Sequence, residues 1–120
     1  MSPIDLTIAY VKAELKNAEA GHDWFHIQRV YRNAMVIGRQ EPCNLQVVQL
    51  AALLHDIADN KFHGDDTIGP EKARNFLESI GVDQATIVHV AAIIQNISFK
   101  GGNAPKTHHS VELDIVQDAD

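Results

Sequence analysis

The ten residues Leu50-Ala51-Ala52-Leu53-Leu54-His55-Asp56-Ile57-Ala58-Asp59 carry an adjacent His–Asp pair at the far end of an apolar run. Leu50, Leu54 and Ile57, with Ala51 and Ala58, follow the 3.6-residue period, which predicts a mostly buried helix. A polar group taken unpaired into such surroundings costs on the order of 2–7 kcal/mol. A divalent metal ion binds neutral imidazole and ionised carboxylate together and would offset that cost. Neighbouring helical residues diverge by roughly 100°. One ion can therefore take both side chains only if other segments close over it and add ligands.

Other residues that could do chemistry are scattered. Seven histidines in 120 residues is the compositional oddity. His22 and His26 stand four apart and project from one helix face, a spacing that suits a helix cap or a surface turn as well as a metal. Taken alone, Asp118 and Asp120 read as solvated carboxylates. His89 lies beside an apolar stripe and reads as a core histidine, His108-His109 as surface residues, and Trp24 as a packing anchor.

The elements that must position these groups are all helical. Ser2 caps a first helix with Pro3 at its first position, and Ile4, Ile8, Val11, Leu15 and Ala18 form its apolar face up to Gly21. Residues 22–41 make a second, with Ile27, Val30, Tyr31, Ala34 and Ile37 on one stripe. Asn44 caps a third that ends at His55-Asp56. Pro70 opens a fourth, carrying Ala73, Phe76, Leu77 and Ile80 and stopped by Gly81. Asp83 caps a fifth, with Ile87, Val90, Ala91 and Ile94 inward. Ser110 starts a sixth, running Val111, Ile115, Ala119. Residues 60–69 and 99–110 are polar, Gly-containing loops. No strand alternation, repeat or linker is visible, so the expectation is one all-α bundle of about six helices. The last residues stop inside a helical pattern without a cap, so residues 1–120 are expected to be a C-terminally truncated domain.

Bulk properties narrow the function. A formal net charge of −6 argues against a nucleic-acid polymer or anionic membrane as the main partner. No apolar run reaches the ~18–20 residues that span a bilayer. The start of the chain lacks the regions of a signal peptide, and Cys43 alone excludes a disulfide framework or multi-cysteine zinc site. A cytoplasmic setting is the expectation.

The ordered set His26 … His55-Asp56 … Asp120 resembles the HD-domain superfamily of metal-dependent phosphohydrolases. His22-Asp23-Trp24-Phe25-His26-Ile27-Gln28-Arg29-Val30 looks like the GHDxxHxxRV entry of one bacterial branch, Ala51–Ile57 like its AALLHDI helix, and Ile115–Asp120 like its VQDADRLDA helix. Ile97–Gly102 resembles a loop of the same branch.

The resemblance implies that His26, His55, Asp56 and Asp120 bind one divalent ion (Mn, Fe, Co, Ni, Zn or Mg), with Asp118 the weaker choice. It also implies metal-assisted hydrolysis of a phosphoester or phosphoanhydride of a small molecule, in particular a nucleotide such as a (d)NTP. The other class of reading is a metal-binding regulatory or interaction module without catalysis. Asp59, one turn after Asp56, matches a position where some relatives place an acid that activates water; a loop residue ending the helix is the other reading. Lys61 and His63 could reach substrate phosphates. Arg29 could reach the cleft or pair with a carboxylate, while His22 is a further substrate-side candidate. Lys100 beside Gly101-Gly102 could hold an anion or form a plain surface turn.

Overall fold

Short polar side chains set where the helices begin, because the first backbone N–H groups of a helix have no partner within it. The computed structural model describes residues 2–16, 23–57, 68–98 and 109–120. These residues form α1 (Pro3–Glu14), α2 (Trp24–Gly38), α3 (Leu45–Leu54), α4 (Ile68–Ser79), α5 (Gln84–Ser98) and α6 (Val111–Ala119). No strand occurs among them, and the protein is all-α. Ser2 Oγ accepts from Asp5 N at 3.1 Å, Asp23 Oδ1 from His26 N at 3.2 Å and Asn44 Oδ1 from Val47 N at 3.3 Å. Asp83 Oδ2 accepts from Thr86 N at 3.0 Å, and Ser110 Oγ from Leu113 N at 3.1 Å. Donation from the Thr86 hydroxyl and amide holds the Asp83 carboxyl below its ordinary range.

α4 is stopped as expected. Gly81 takes φ +83°, while Val82 N–H donates to Leu77 O and Gly81 N–H to Glu78 O, each at 3.1 Å. That pair of hydrogen bonds is the left-handed Schellman ending that glycine favours. A Cβ at Gly81 would meet nothing within 4 Å, so only the backbone conformation resists a side chain. Gly81→Ala is expected to lower stability by about 1 kcal/mol, seen as an earlier denaturation midpoint at unchanged slope.

Several boundaries differ from the sequence pattern. α1 ends at Glu14, short of Gly21, which lies outside the described residues. α2 starts at Trp24 rather than residue 22, because the Asp23 side chain takes the cap. It stops at Gly38 rather than 41, where the chain turns back tightly. There a Cβ would lie 3.1 Å from Leu45 Cδ1. α4 begins at Ile68, two residues before Pro70, since first-turn N–H groups go unused and proline's missing one costs nothing there. On α6, Val111 is 37% exposed, while Glu112, Leu113, Ile115, Val116 and Ala119 are buried. α6 packs on α2, α3 and α5 together, and Val111 lies about 110° from the centre of that wide arc.

α3 is the axis of the bundle. From Val47 to Leu54 every residue but Gln49 is buried, and Gln49 Nε2 donates to Tyr31 OH at 3.2 Å. The helix packs against α1, α2, α5 and α6, so Val11, Ile27, Val30, Ile87, Val90, Leu113 and Val116 share one core with it. α4 packs on α5; its Lys72 reaches Glu14 of α1 at 2.7 Å, and Phe76 stacks on Tyr10 at 4.0 Å. Burial, then the Glu14 carboxylate, pushes the Tyr10 phenol up to about 12.

Candidate metal centre

Two helices joined by a tight turn bring their far ends to one place. The Gly38–Leu45 contact and the packing of α2 on α3 make them an antiparallel pair. His26 lies about 18 Å before that turn along α2, and His55 about 15 Å after it along α3. The rings meet at the open end, centroids 6.0 Å apart and tilted by 58°. His55 is the C-cap of α3, so Asp56 leaves the helix beside it. One ligand atom from each of His26, His55 and Asp56 falls within 4.8 Å of the others.

α6 delivers the fourth residue. Asp120 Oδ1 lies 3.5 Å from His26 Nε2 and 3.8 Å from His55 Nε2. The His55 ring is 3% exposed, His26 17% and Asp120 15%. The cluster is thus closed around His55 and partly exposed at His26 and Asp120.

The tautomer of His55 gives the cluster a chemical direction. Its Nδ1 lies 2.7 Å from Ala52 O, an acceptor, so Nδ1 carries the proton and donates. In the neutral ring Nε2 then presents a lone pair toward Asp120 Oδ1, itself an acceptor. Two acceptors 3.8 Å apart repel unless a cation or proton lies between them. A backbone acceptor that fixes the outer nitrogen is the usual support of a ligating imidazole. Metal–ligand bonds of about 2.1 Å put adjacent donors roughly 3.0–3.4 Å apart and opposite ones about 4.2 Å. The observed separations are close to that range, and two imidazoles with two carboxylates suit a divalent ion. The residues fit such an ion.

The other sequence candidates divide plainly. Arg29 is exposed on α2, three residues after His26. Asp118 is exposed and diverges from Asp120 by about 200° around the helix. His22, Asp59, Lys61, His63 and Lys100 lie outside the described residues. Trp24 is half-buried under the Lys12 ammonium, 5.1 Å from the ring centre, as a packing anchor would be. His89 is half-buried between α5 and α6, its Nε2 3.3 Å from Ser110 Oγ and 3.6 Å from Glu112 Oε1. His109 is exposed. Burial, followed by the Glu112 and Glu41 carboxylates, raises the Cys43 thiol. It is therefore a poor nucleophile at neutral pH.

Sequence reasoning missed two contacts of α6. Asn33 Nδ2 donates to Ala119 O at 3.3 Å, linking α2 to the residue before Asp120. Glu112, an acid in the first turn of α6, is buried and its Oε2 accepts from Asn44 N. Neither partner is near in sequence, so no periodicity signals them.

The helices and the His–Asp cluster together define an HD domain: the family model for that domain matches residues 24–120, and the chain belongs to this family. Its relatives make the comparison more particular. The chain is 35% identical over 112 residues to the uncharacterized protein YpgQ of Bacillus subtilis, covering 92% of this chain and 55% of that protein. The crystal structure of an HD-superfamily hydrolase from Bacillus thuringiensis aligns with a TM-score of 0.76 and 35% identity, over 97% of this chain and 54% of that one. YpgQ of Bacillus subtilis, solved in complex with ADP, aligns with a TM-score of 0.76 and 32% identity, over 97% and 55% of the two chains. The chain spans about half the length of these relatives. Among the described residues no helix is long and apolar enough to cross a membrane.

Proposed function

We propose that this chain is a divalent-metal-dependent phosphohydrolase acting on a phosphoester or phosphoanhydride of a small molecule, a nucleotide such as a (d)NTP. The observation that carries the reading is the convergence of His26, His55 and Asp56 with Asp120 Oδ1 beside both imidazoles. These four residues are the proposed ligands. When bound, the ion supplies Lewis-acid polarisation of a phosphoryl group and charge neutralisation on its oxygens.

The chain's own groups do the rest. Ala52 O holds the His55 proton on Nδ1 and keeps Nε2 free to ligate. Asp56 and Asp120 together balance a dipositive charge. The burial of His55 against α3 keeps water off one side of the site, and a phosphate enters from the side of His26 and Asp120. A guanidinium binds phosphate oxygens in bidentate fashion, and Arg29, exposed on α2 one turn after His26, is the proposed partner of the outer ones. The ADP complex of YpgQ supports a nucleoside phosphate as the substrate class.

The test is metal analysis of the purified protein, coupled to a nucleotide panel with Mn²⁺, Co²⁺ or Ni²⁺. About one ion per chain is expected, with phosphate or pyrophosphate release that falls to background in chelator. Protein that takes up no stoichiometric metal would overturn the reading. Metal uptake without turnover of any nucleotide would fit the binding-module reading instead.

A further inference from the structure

We propose that Glu112 is a positioning residue that fixes the axial register of α6 along α3, and so places Asp120 against His26 and His55. The proposal rests on the cluster being a divalent metal centre. Glu112 stands at the opposite end of α6 from Asp120, and its side chain is only 11% exposed. Its Oε2 accepts from the backbone N–H of Asn44 at 2.7 Å, the residue that caps α3. Its Oε1 faces His89 Nε2 of α5 at 3.6 Å, and the same nitrogen lies 3.3 Å from Ser110 Oγ. One carboxylate thus joins the starts of α3 and α6 to the middle of α5.

A buried charge is a poor means of gaining stability, since an apolar residue of similar size is often as good or better. Its best-attested use is to set register. The register set here has a destination. Asn44 meets Glu112 at the start of both helices, and His55 meets Asp120 at their ends, so α3 and α6 run side by side in the same direction. Asp120 follows Glu112 by eight residues, a rise of about 12 Å. α6 packs on α3 and gives Leu113, Val116 and Ala119 to the shared core; such apolar contacts are non-directional and permit small slips. A bond to one particular backbone N–H does not. Ligand placement tolerates only a few tenths of an ångström, so a slip that the core accepts would still spoil the site. Asn33, bonded to Ala119 O, steadies the other end sideways against α2.

The experiment compares Co²⁺ binding by the wild type, Glu112→Met, Glu112→Gln, Glu112→Asp and Asp120→Asn. Affinity and the visible ligand-field spectrum are read at a temperature where circular dichroism shows each protein folded. Glu112→Met is expected to stay folded yet bind Co²⁺ about 10- to 100-fold more weakly, with a spectrum shifted toward that of Asp120→Asn, while Glu112→Gln, whose carbonyl still accepts from Asn44, stays within about threefold of wild type. A purely structural Glu112 would change the melting temperature but leave the folded protein's spectrum and affinity alone, and that result overturns the proposal. If Glu112→Met fails to fold, Glu112→Asp carries the test: it keeps the charge but is one methylene too short to reach Asn44, and wild-type affinity there is equally fatal. A wild type that takes up no Co²⁺ overturns the metal centre itself. A wild type that binds, with indifferent Glu112 variants, overturns only the positioning role.

Discussion

His55→Ala and Asp56→Ala are each expected to abolish stoichiometric metal and to reduce nucleotide hydrolysis by at least about 10³-fold, the loss of several kcal/mol of transition-state stabilisation at 1.36 kcal/mol per decade. His55 is the better probe of the two. Its ring is almost wholly enclosed, it is oriented by Ala52 O, and its free nitrogen faces Asp120. Alanine removes the ligand without adding a charge or a clash. His109→Ala, at an exposed histidine away from the cluster, should leave metal content and turnover unchanged. Metal analysis and phosphate release on the same preparations decide the matter. If His55→Ala still carries one ion per chain and turns over normally, the ligand assignment is wrong.

Leu50→Ala is expected to cost about 2–5 kcal/mol of folding stability. Leu50 is wholly buried in α3, and α3 has neighbours on four helices, so no single side can collapse to refill the space. Domains of this size have only about 5–15 kcal/mol in total, and the melting temperature should drop on the order of 10 °C. The residue sits more than one turn before His55. Well below the transition the variant should therefore still bind its metal. A drop below about 1 kcal/mol would mean that α3 is not the packing centre described.

The legible part of the fold was its punctuation and its inward stripes. Ser2, Asn44, Asp83 and Ser110 cap helices because their side chains accept from N–H groups three residues on, a strictly local arrangement. Gly81 ends α4 because it alone tolerates the left-handed turn. What the pattern did not give were the places where another helix decides. At Gly38, where α2 ends, the missing Cβ lets Leu45 come close, and α6 turns Val111 outward because three helices share its other side. Metal-ligating residue types stood out from an apolar helix at His55-Asp56, and resemblance supplied His26 and Asp120. The groups that hold those residues in place, Glu112, Asn33 and Ala52 O, act across the chain or through the backbone. Their types carry no mark of that in the sequence.

The all-round burial of α3 also has a consequence for how the protein is made. Its partners α1 and α2 precede it on the ribosome, but α5 and α6 follow. At about 5–20 residues per second, Val116 is joined roughly 4–14 s after Leu45. Throughout that interval one side of an almost wholly apolar helix has nothing of its own chain to rest on. The helix most enclosed in the described fold is thus among the last to have all its apolar sides covered.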